Sequence, residues 1–252
     1  TVGAYAADPL TLQGNFDLAV GARMTSNTSS GLEGPRNNTH LTIAGAGAVS
    51  IPVASALSVQ LEGVGENYQD NRSGGSQGAY LLGGHVQWRN PDSFLIGAFV
   101  AAGTGANSWD EDRKLGWEVG GEAQMYWNNW TFGVNGGYAD FQSDRFAGCG
   151  SSCGEGFTFG WFAGAEGRYY VNPNAVVSLN VDYGNTSKFI EEARGQIWGW
   201  GLKGEMGISS TMPIYGTLAY RGMSINTGGP CCNHDATEHA FLAGVAVRFG
   251  GT

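Results

Sequence analysis

The chain has 252 residues, 43 of them glycine, with 42% hydrophobic residues, 14% charged residues and a formal net charge of −9. That length suits one large barrel or two small domains, and the acidic balance argues against a nucleic-acid partner, which needs clustered Lys and Arg. Glycine without a three-residue period excludes collagen, apolar residues spread through alternating runs exclude disorder, and no run of 18 apolar residues exists to make a transmembrane helix.

Residues 1–9 read as a tail. Ala4-Tyr5-Ala6 before Ala7-Asp8 resembles the small-residue cleavage site that ends a signal peptide, although no charged and apolar regions precede it. An ordinary tail or an expression remnant is the alternative. The first strand is expected at 12–24, with Asn15, Asp17 and Arg23 against Phe16, Leu18, Val20 and Ala22. After a polar loop, a second strand at 39–51 sets Leu41, Ile43 and Val49 against an unusually small face of Ala44, Ala46, Ala48 and Ser50. A short turn with Pro52 leads to a third at 56–68, where Ser58, Gln60, Glu62 and Glu66 oppose Leu57, Val59 and Leu61. The fourth, 78–89, sets His85, Gln87 and Arg89 against Tyr80, Leu82, Val86 and Trp88. Asn90-Pro91-Asp92-Ser93 is a tight turn by composition. The fifth strand, 94–105, is nearly all apolar or small, and its faces cannot be assigned from the pattern.

The sixth and seventh strands, 114–127 and 130–143, make the clearest hairpin, joined by Asn128-Asn129. Glu118, Glu122, Gln124 and Tyr126 alternate with Trp117, Val119, Ala123, Met125 and Trp127; then Trp130, Phe132, Val134 and Tyr138 alternate with Thr131, Asn135 and glycines. A period of two gives one polar and one apolar face. The apolar face carries aromatics at both ends, as a strand does when it crosses an outer membrane with its polar face turned inward. The eighth strand, 157–171, sets Glu166 and Arg168 against Trp161, Ala163, Ala165 and Tyr169, and Asn172-Pro173-Asn174 turns the chain. The ninth, 176–183, is the cleanest alternation: Ser178, Asn180 and Asp182 against Val177, Leu179, Val181 and Tyr183. The tenth, 196–209, sets Lys203 and Glu205 against Trp198, Trp200, Leu202, Met206 and Ile208. The eleventh, 214–225, turns Tyr215, Thr217 and Arg221 inward. The twelfth, 239–249, turns Arg248 inward and Phe241, Val245, Val247 and Phe249 outward. His234-Asp235 falls in the polar, cysteine-containing loop before it.

About twelve strands, joined alternately by short turns and long polar loops, with no linker dividing them, predict an all-β fold. It is a single transmembrane antiparallel up-and-down β-barrel over residues 10–252, with short periplasmic turns and longer extracellular loops. The chain resembles a bacterial outer-membrane β-barrel of the porin-like class over residues 10–249. The resemblance rests on this strand grammar and on the closing segment AFLAGVAVRFGGT, an alternating strand with an aromatic near its end. In such barrels that signature is tied to recognition by the assembly machinery. Phe249 stands three residues before the end instead of last, a departure from the strict pattern. The resemblance implies residence in the bacterial outer membrane with lipid as partner.

The polar faces would line the lumen with Asp17, Arg23, Gln60, Glu62, His85, Gln87, Arg89, Glu118, Glu122, Gln124, Glu166, Arg168, Asp182, Lys203, Glu205, Arg221 and Arg248. Acids and bases are nearly balanced. Rings of charge around a polar lumen predict a channel for passive diffusion of small hydrophilic solutes. The alternative is a ladder of ion pairs that fills a non-conducting structural or interaction barrel, with outer loops meeting partners. Inner-face glycines (Gly133, Gly137, Gly199, Gly201) either widen the passage or relieve crowding. Trp88, Trp127, Trp130, Trp161, Trp198, Trp200, Tyr138 and Tyr169 suit an aromatic girdle, a sugar-binding surface being the rival reading.

An outer-membrane lipid hydrolase is a distant third. The nearest match to its His-x-Ser pair is His40-Leu41-Thr42, with threonine for serine and no orienting acid evident nearby; His85 has Gln87 beside it and no obvious nucleophile. No enzyme activity and no cofactor are expected. Cys149, Cys153, Cys231 and Cys232 all fall in predicted loops, an even count that fits disulfides in an oxidising compartment. Cys149–Cys153 is the easiest bridge, but the connectivity stays open. The spacing does not match a standard zinc site, even with His234, so no metal is expected. A homo-oligomer or an envelope protein partner stays open, since no face is marked as an interface.

Overall fold

A period-two sequence turns successive side chains to opposite sides of a sheet, and here it does so around a full circle. The computed structural model describes residues 12–29, 36–69, 76–90, 92–105, 114–141, 158–188, 194–209, 211–228 and 234–250. The N-terminal tail 1–9 and the four cysteines, Cys149, Cys153, Cys231 and Cys232, lie outside the described residues.

The strands are β1 (Gln13–Ser29), β2 (Arg36–Pro52), β3 (Leu57–Gln69), β4 (Ser76–Asn90), β5 (Phe94–Gly105) and β6 (Lys114–Trp127), followed by β7 (Trp130–Phe141), β8 (Thr158–Asn172), β9 (Ala175–Lys188), β10 (Arg194–Gly207), β11 (Ile214–Gly228) and β12 (His234–Phe249). Each pairs antiparallel with its sequence neighbour, and β1 pairs with β12, so twelve strands close into one up-and-down barrel. Closure leaves no unpaired sheet edge, which is what a lipid environment demands of a strand protein. The shortest strands have 12 residues, which at about 3.4 Å per residue and a tilt of about 40° span roughly 30 Å, the thickness of a bilayer's hydrocarbon layer.

Burial is inverted relative to a water-soluble protein. Phe16, Leu18, Leu41, Val100, Val134, Leu202 and Phe241 all stand exposed on the outer wall, and Leu82 and Leu218 reach 72% and 70% exposure. Polar residues such as His40, Thr42, His85, Gln87, Glu205 and Thr217 are buried inside. A continuous apolar outer surface of this extent is stable only in lipid. This is a transmembrane β-barrel of the bacterial outer-membrane type.

The short turns share one end of the barrel with both terminal strands, where Arg248 N–H donates to Pro213 O. Their chemistry is local. Asn128 takes φ 51° in the Asn128-Asn129 turn, a left-handed conformation that Asn tolerates. Asn90 and Asn172 accept the N–H of Asp92 and Asn174 through their side-chain oxygens. At the opposite end several strands run further than expected: β1 to Ser29, β9 to Lys188, and β12 back to His234. His234-Asp235 thus belongs to β12 and not to a loop. These extensions are polar on both faces, so they give no alternating signal; the ladder with the neighbouring strand carries them, as in Ser29 opposite His234.

Aromatic side chains ring both ends on the outer face. Near the short turns, Trp130 lies 4.7 Å from Tyr169 and 5.5 Å from Phe132, and Trp88 lies 5.3 Å from Phe94 (ring centroids). Near the long-loop end, Trp161, Tyr183 and Trp198 touch in series at 5.0 and 4.7 Å. Beyond them the Trp200 indole N–H donates to the Tyr220 hydroxyl at 3.3 Å, and that hydroxyl lies 2.9 Å from His239 Nδ1. Two such belts are the amphipathic anchors of a membrane barrel.

Candidate functional site

Directly paired residues on adjacent strands share a face, so the registers carry one orientation around the barrel. Contacts between strands that are not neighbours fix which face is inner, because they can form only across the interior. Lys203 of β10 pairs with Asp17 of β1 at 2.8 Å across β11 and β12, and Arg221 of β11 pairs with Glu66 of β3 at 2.9 Å across β12, β1 and β2. All seventeen polar-face residues selected from the sequence stand on this inner face: Asp17, Arg23, Gln60, Glu62, His85, Gln87, Arg89, Glu118, Glu122, Gln124, Glu166, Arg168, Asp182, Lys203, Glu205, Arg221 and Arg248.

Three polar networks organise them. Toward the long-loop end, Glu66 accepts from Arg221 and from the Thr42 hydroxyl at 2.9 Å, and its carboxylate lies 3.5 Å from Arg23 Nη1. Arg23 also pairs with Glu238, and its guanidinium sits 4.1 Å above the Tyr68 ring. In the middle, His85 places Nδ1 2.9 Å from Glu122 Oε1 and Nε2 3.2 Å from Glu62 Oε1, and Gln87 donates to Glu122 at 3.0 Å. Toward the short turns, Lys203 joins Asp17 to Glu205, Glu205 also receives Arg248, and Arg168 grips Glu166 through two hydrogen bonds of 2.8 and 2.7 Å.

Small residues lie where these long side chains lie down. The Asp17–Lys203 pair bridges the β11–β12 wall, which holds the fully buried Ala246 and the buried Thr217. The Arg23–Glu66 pair crosses β2, where Thr42 is fully buried. The His85–Glu122 contact passes over Gly97 of β5, where an added Cβ would stand 2.8 Å from Glu122 Oε1. Gly199 and Gly201 are similarly covered by Asp182 and Asn180, so those two glycines accommodate neighbouring side chains and do not widen the passage.

The interior is not filled. A cavity of about 700 Å³ lies toward the long-loop end and one of about 1060 Å³ toward the short turns. Asn180 and Asp182 line both. Phe99 and Phe162, on β5 and β8, approach to 6.1 Å between centroids over Gly120 and Gly137 of the intervening strands, and Phe99 stacks obliquely on His85 at 5.5 Å. The sequence pattern did not single out Phe99, Phe162 or Glu238 as interior groups, and it set Glu66 on the polar face of its strand without counting it among the lumen residues. Glu238 falls in a stretch that reads as loop, and Phe99 in the strand whose faces the pattern does not separate.

Of the hydrolase candidates, His40 and Thr42 both face inward and are buried. An acid does lie near, since Glu66 accepts the Thr42 hydroxyl, but Glu66 is also engaged by Arg23 and Arg221. Among the described residues, no group of three His, Cys, Asp or Glu is arranged to hold a metal ion.

No protein-family model and no curated protein matches the chain. Solved structures do. An outer-membrane channel from Pseudomonas putida F1 superposes with a TM-score of 0.64 at 13% identity, covering 99% of each chain. The translocator domain of the autotransporter NalP from Neisseria meningitidis superposes with a TM-score of 0.50 at 13% identity, covering 94% of this chain and 88% of that one. At these identities the likeness is one of fold, and it matches the outer-membrane barrel the physical description reaches on its own.

Proposed function

We propose that the barrel is a channel for passive diffusion of small hydrophilic solutes, lined by the inward residues named above. The observation that carries this is the pair of cavities, about 700 and 1060 Å³, that share Asn180 and Asp182 on their walls. A barrel whose purpose was rigidity would gain from filling that space, since empty volume forfeits packing. Among described side chains the interior holds nine carboxylates (Asp17, Glu62, Glu66, Glu118, Glu122, Glu166, Asp182, Glu205, Glu238) and six permanent cations (Arg23, Arg89, Arg168, Lys203, Arg221, Arg248). That excess favours cations over anions in transit. The test is single-channel recording of the pure, folded protein in planar bilayers. Discrete conductance steps with cation preference are expected; no conductance above background would defeat the reading. The fold's membrane role makes a soluble enzyme a poor description, and Glu66, the acid beside Thr42, is held by Arg23 and Arg221.

A second reading has its own support. The wall-spanning pairs Asp17–Lys203 and Arg221–Glu66, with the Phe99–Phe162 approach, are contacts that a closed, rigid interior would also use. It predicts the silent bilayer trace that would defeat the first.

A further inference from the structure

The cavity toward the long-loop end differs in character from the one below it. Its inward wall is built largely of carbon: Phe162, Ile197, Met223, Tyr68 and the alanines at 79 and 139. Two arginines reach it, but both are occupied, Arg23 by Glu66 and Glu238 and Arg221 by Glu66. Two further carboxylates line it with no ion pair among the described residues: Glu118, and Asp182, which accepts from the Asn180 amide at 2.6 Å. With the arginines neutralised in place, the cavity presents an apolar and aromatic surface with a net negative charge.

We infer that this cavity is a binding site for small organic cations, an ammonium group carried on an aromatic or alkyl body. This deepens the channel reading and rests on it for its place on a route. The body of such a solute replaces water against Phe162, Ile197 and Met223, and removing apolar surface from water is favourable in proportion to its area. The ammonium faces Glu118 and Asp182 in a partly buried space where screening by salt is weak, and an aromatic face such as Phe162 attracts a cation through its quadrupole. An anion of the same shape meets two carboxylates and arginines that are already engaged. Asp182 lines both cavities, so a cation released from the upper site has a carboxylate already at the entrance of the lower one.

The experiment uses three probes that share one ring and differ in charge: benzylammonium, benzyl alcohol and benzoate. Equilibrium binding to the intact barrel in detergent is measured by calorimetry, and conductance in planar bilayers is recorded on the same preparation. Benzylammonium should bind about ten-fold tighter than benzyl alcohol, and benzoate weakest. The pair E118Q and D182N should remove the advantage of the cation while leaving benzyl alcohol binding unchanged, and Phe162→Leu should weaken benzylammonium and benzyl alcohol alike. Equal binding of the three probes, a preference for benzoate, or a cation preference that survives E118Q with D182N would each overturn the inference. A protein that conducts but binds none of the probes also overturns it and leaves the channel reading standing. A protein that binds benzylammonium selectively but does not conduct upholds the site and sinks the channel.

Discussion

The crossing of His85 to Glu122 over Gly97 gives the sharpest test of how this interior is built. An added Cβ at residue 97 would stand 2.8 Å from Glu122 Oε1, 3.0 Å from Val86 O and 3.1 Å from Gln87 Cγ. The carboxylate is the movable neighbour, yet it is tied to His85 Nδ1 at 2.9 Å and to Gln87 at 3.0 Å. Gly97→Ala therefore acts by loosening that contact. The His85 and Glu122 side chains are only 9% and 14% exposed, so a weakened contact is not replaced by water, while Glu62 keeps the second ring nitrogen. A loss of about 1–2 kcal/mol follows, offset by roughly 0.5 kcal/mol that alanine regains over glycine in an extended strand. The net destabilisation is about 1 kcal/mol. Glu122→Ala removes the carboxylate outright and should cost about 2–3 kcal/mol. In that background Gly97→Ala has little left to displace, so the two changes should be coupled by about 1–2 kcal/mol. Equilibrium urea unfolding of the barrel in lipid vesicles, followed by tryptophan fluorescence, measures all four corners of the cycle. Effects that add within about 0.3 kcal/mol would show that the methyl and the carboxylate never meet, and the account of small residues as room for crossing side chains would fail.

On the outer wall, Leu82→Arg should lower the stability of the lipid-inserted barrel by about 2–4 kcal/mol, because an arginine near the middle of the span faces hydrocarbon; the same unfolding measurement reads it, and a neutral effect would mean that Leu82 does not face lipid. Asn128→Val should cost about 1–2 kcal/mol, since a β-branched residue resists the positive φ that Asn128 adopts, whereas Asn128→Gly should be close to neutral. Phe162→Ala should raise single-channel conductance by removing a large ring from the lining of the long-loop cavity, and an unchanged conductance would place the narrow point elsewhere. Glu66→Gln with Glu238→Gln should shift the reversal potential toward anions, because it leaves Arg23 and Arg221 uncompensated; no shift would place ion flow away from that network.

The fold was legible because lipid outside and polarity inside force strict parity on every strand that crosses the membrane. β9 and β6 show this directly: Ser178, Asn180 and Asp182, and Glu118, Glu122 and Gln124, all face inward by register. β5 defeated the same logic for a physical reason. Its inner positions are small or apolar for separate reasons: Gly97 lies under the Glu122 carboxylate, Gly103 closely approaches the Tyr80 backbone, and Phe99 lies along the wall over Gly120 toward Phe162. Apolarity on both faces was thus imposed by tertiary neighbours. The strand ends beyond the membrane were illegible for a different reason. Residues such as Ser26 and Thr237 pair in a ladder while both faces meet water, and no alternation survives there. The ion pairs were beyond reach of any local pattern, because whether Arg221 meets Glu66 depends on how the strands stagger around the ring.

That stagger also decides where a solute can go. On the wall formed by β11, β12, β1 and β2, the inner surface is small (Ala219, Ala240, Ala246, Ala44), and the long side chains of Lys203, Arg221 and Glu66 lie across it. That third of the wall is covered by charge held flat. Beyond β10, β8 and β9 present Gly164, Asn180 and Asp182, and both cavities open onto the last two. A barrel of this strand number encloses more space than a filled eight-stranded barrel and less than a wide porin. Dividing that space into a packed side and an open side lets one interior hold its charges in pairs and still keep a path. The ion pairs and the passage therefore need not be rival descriptions: the first confines side chains that would otherwise extend into the second.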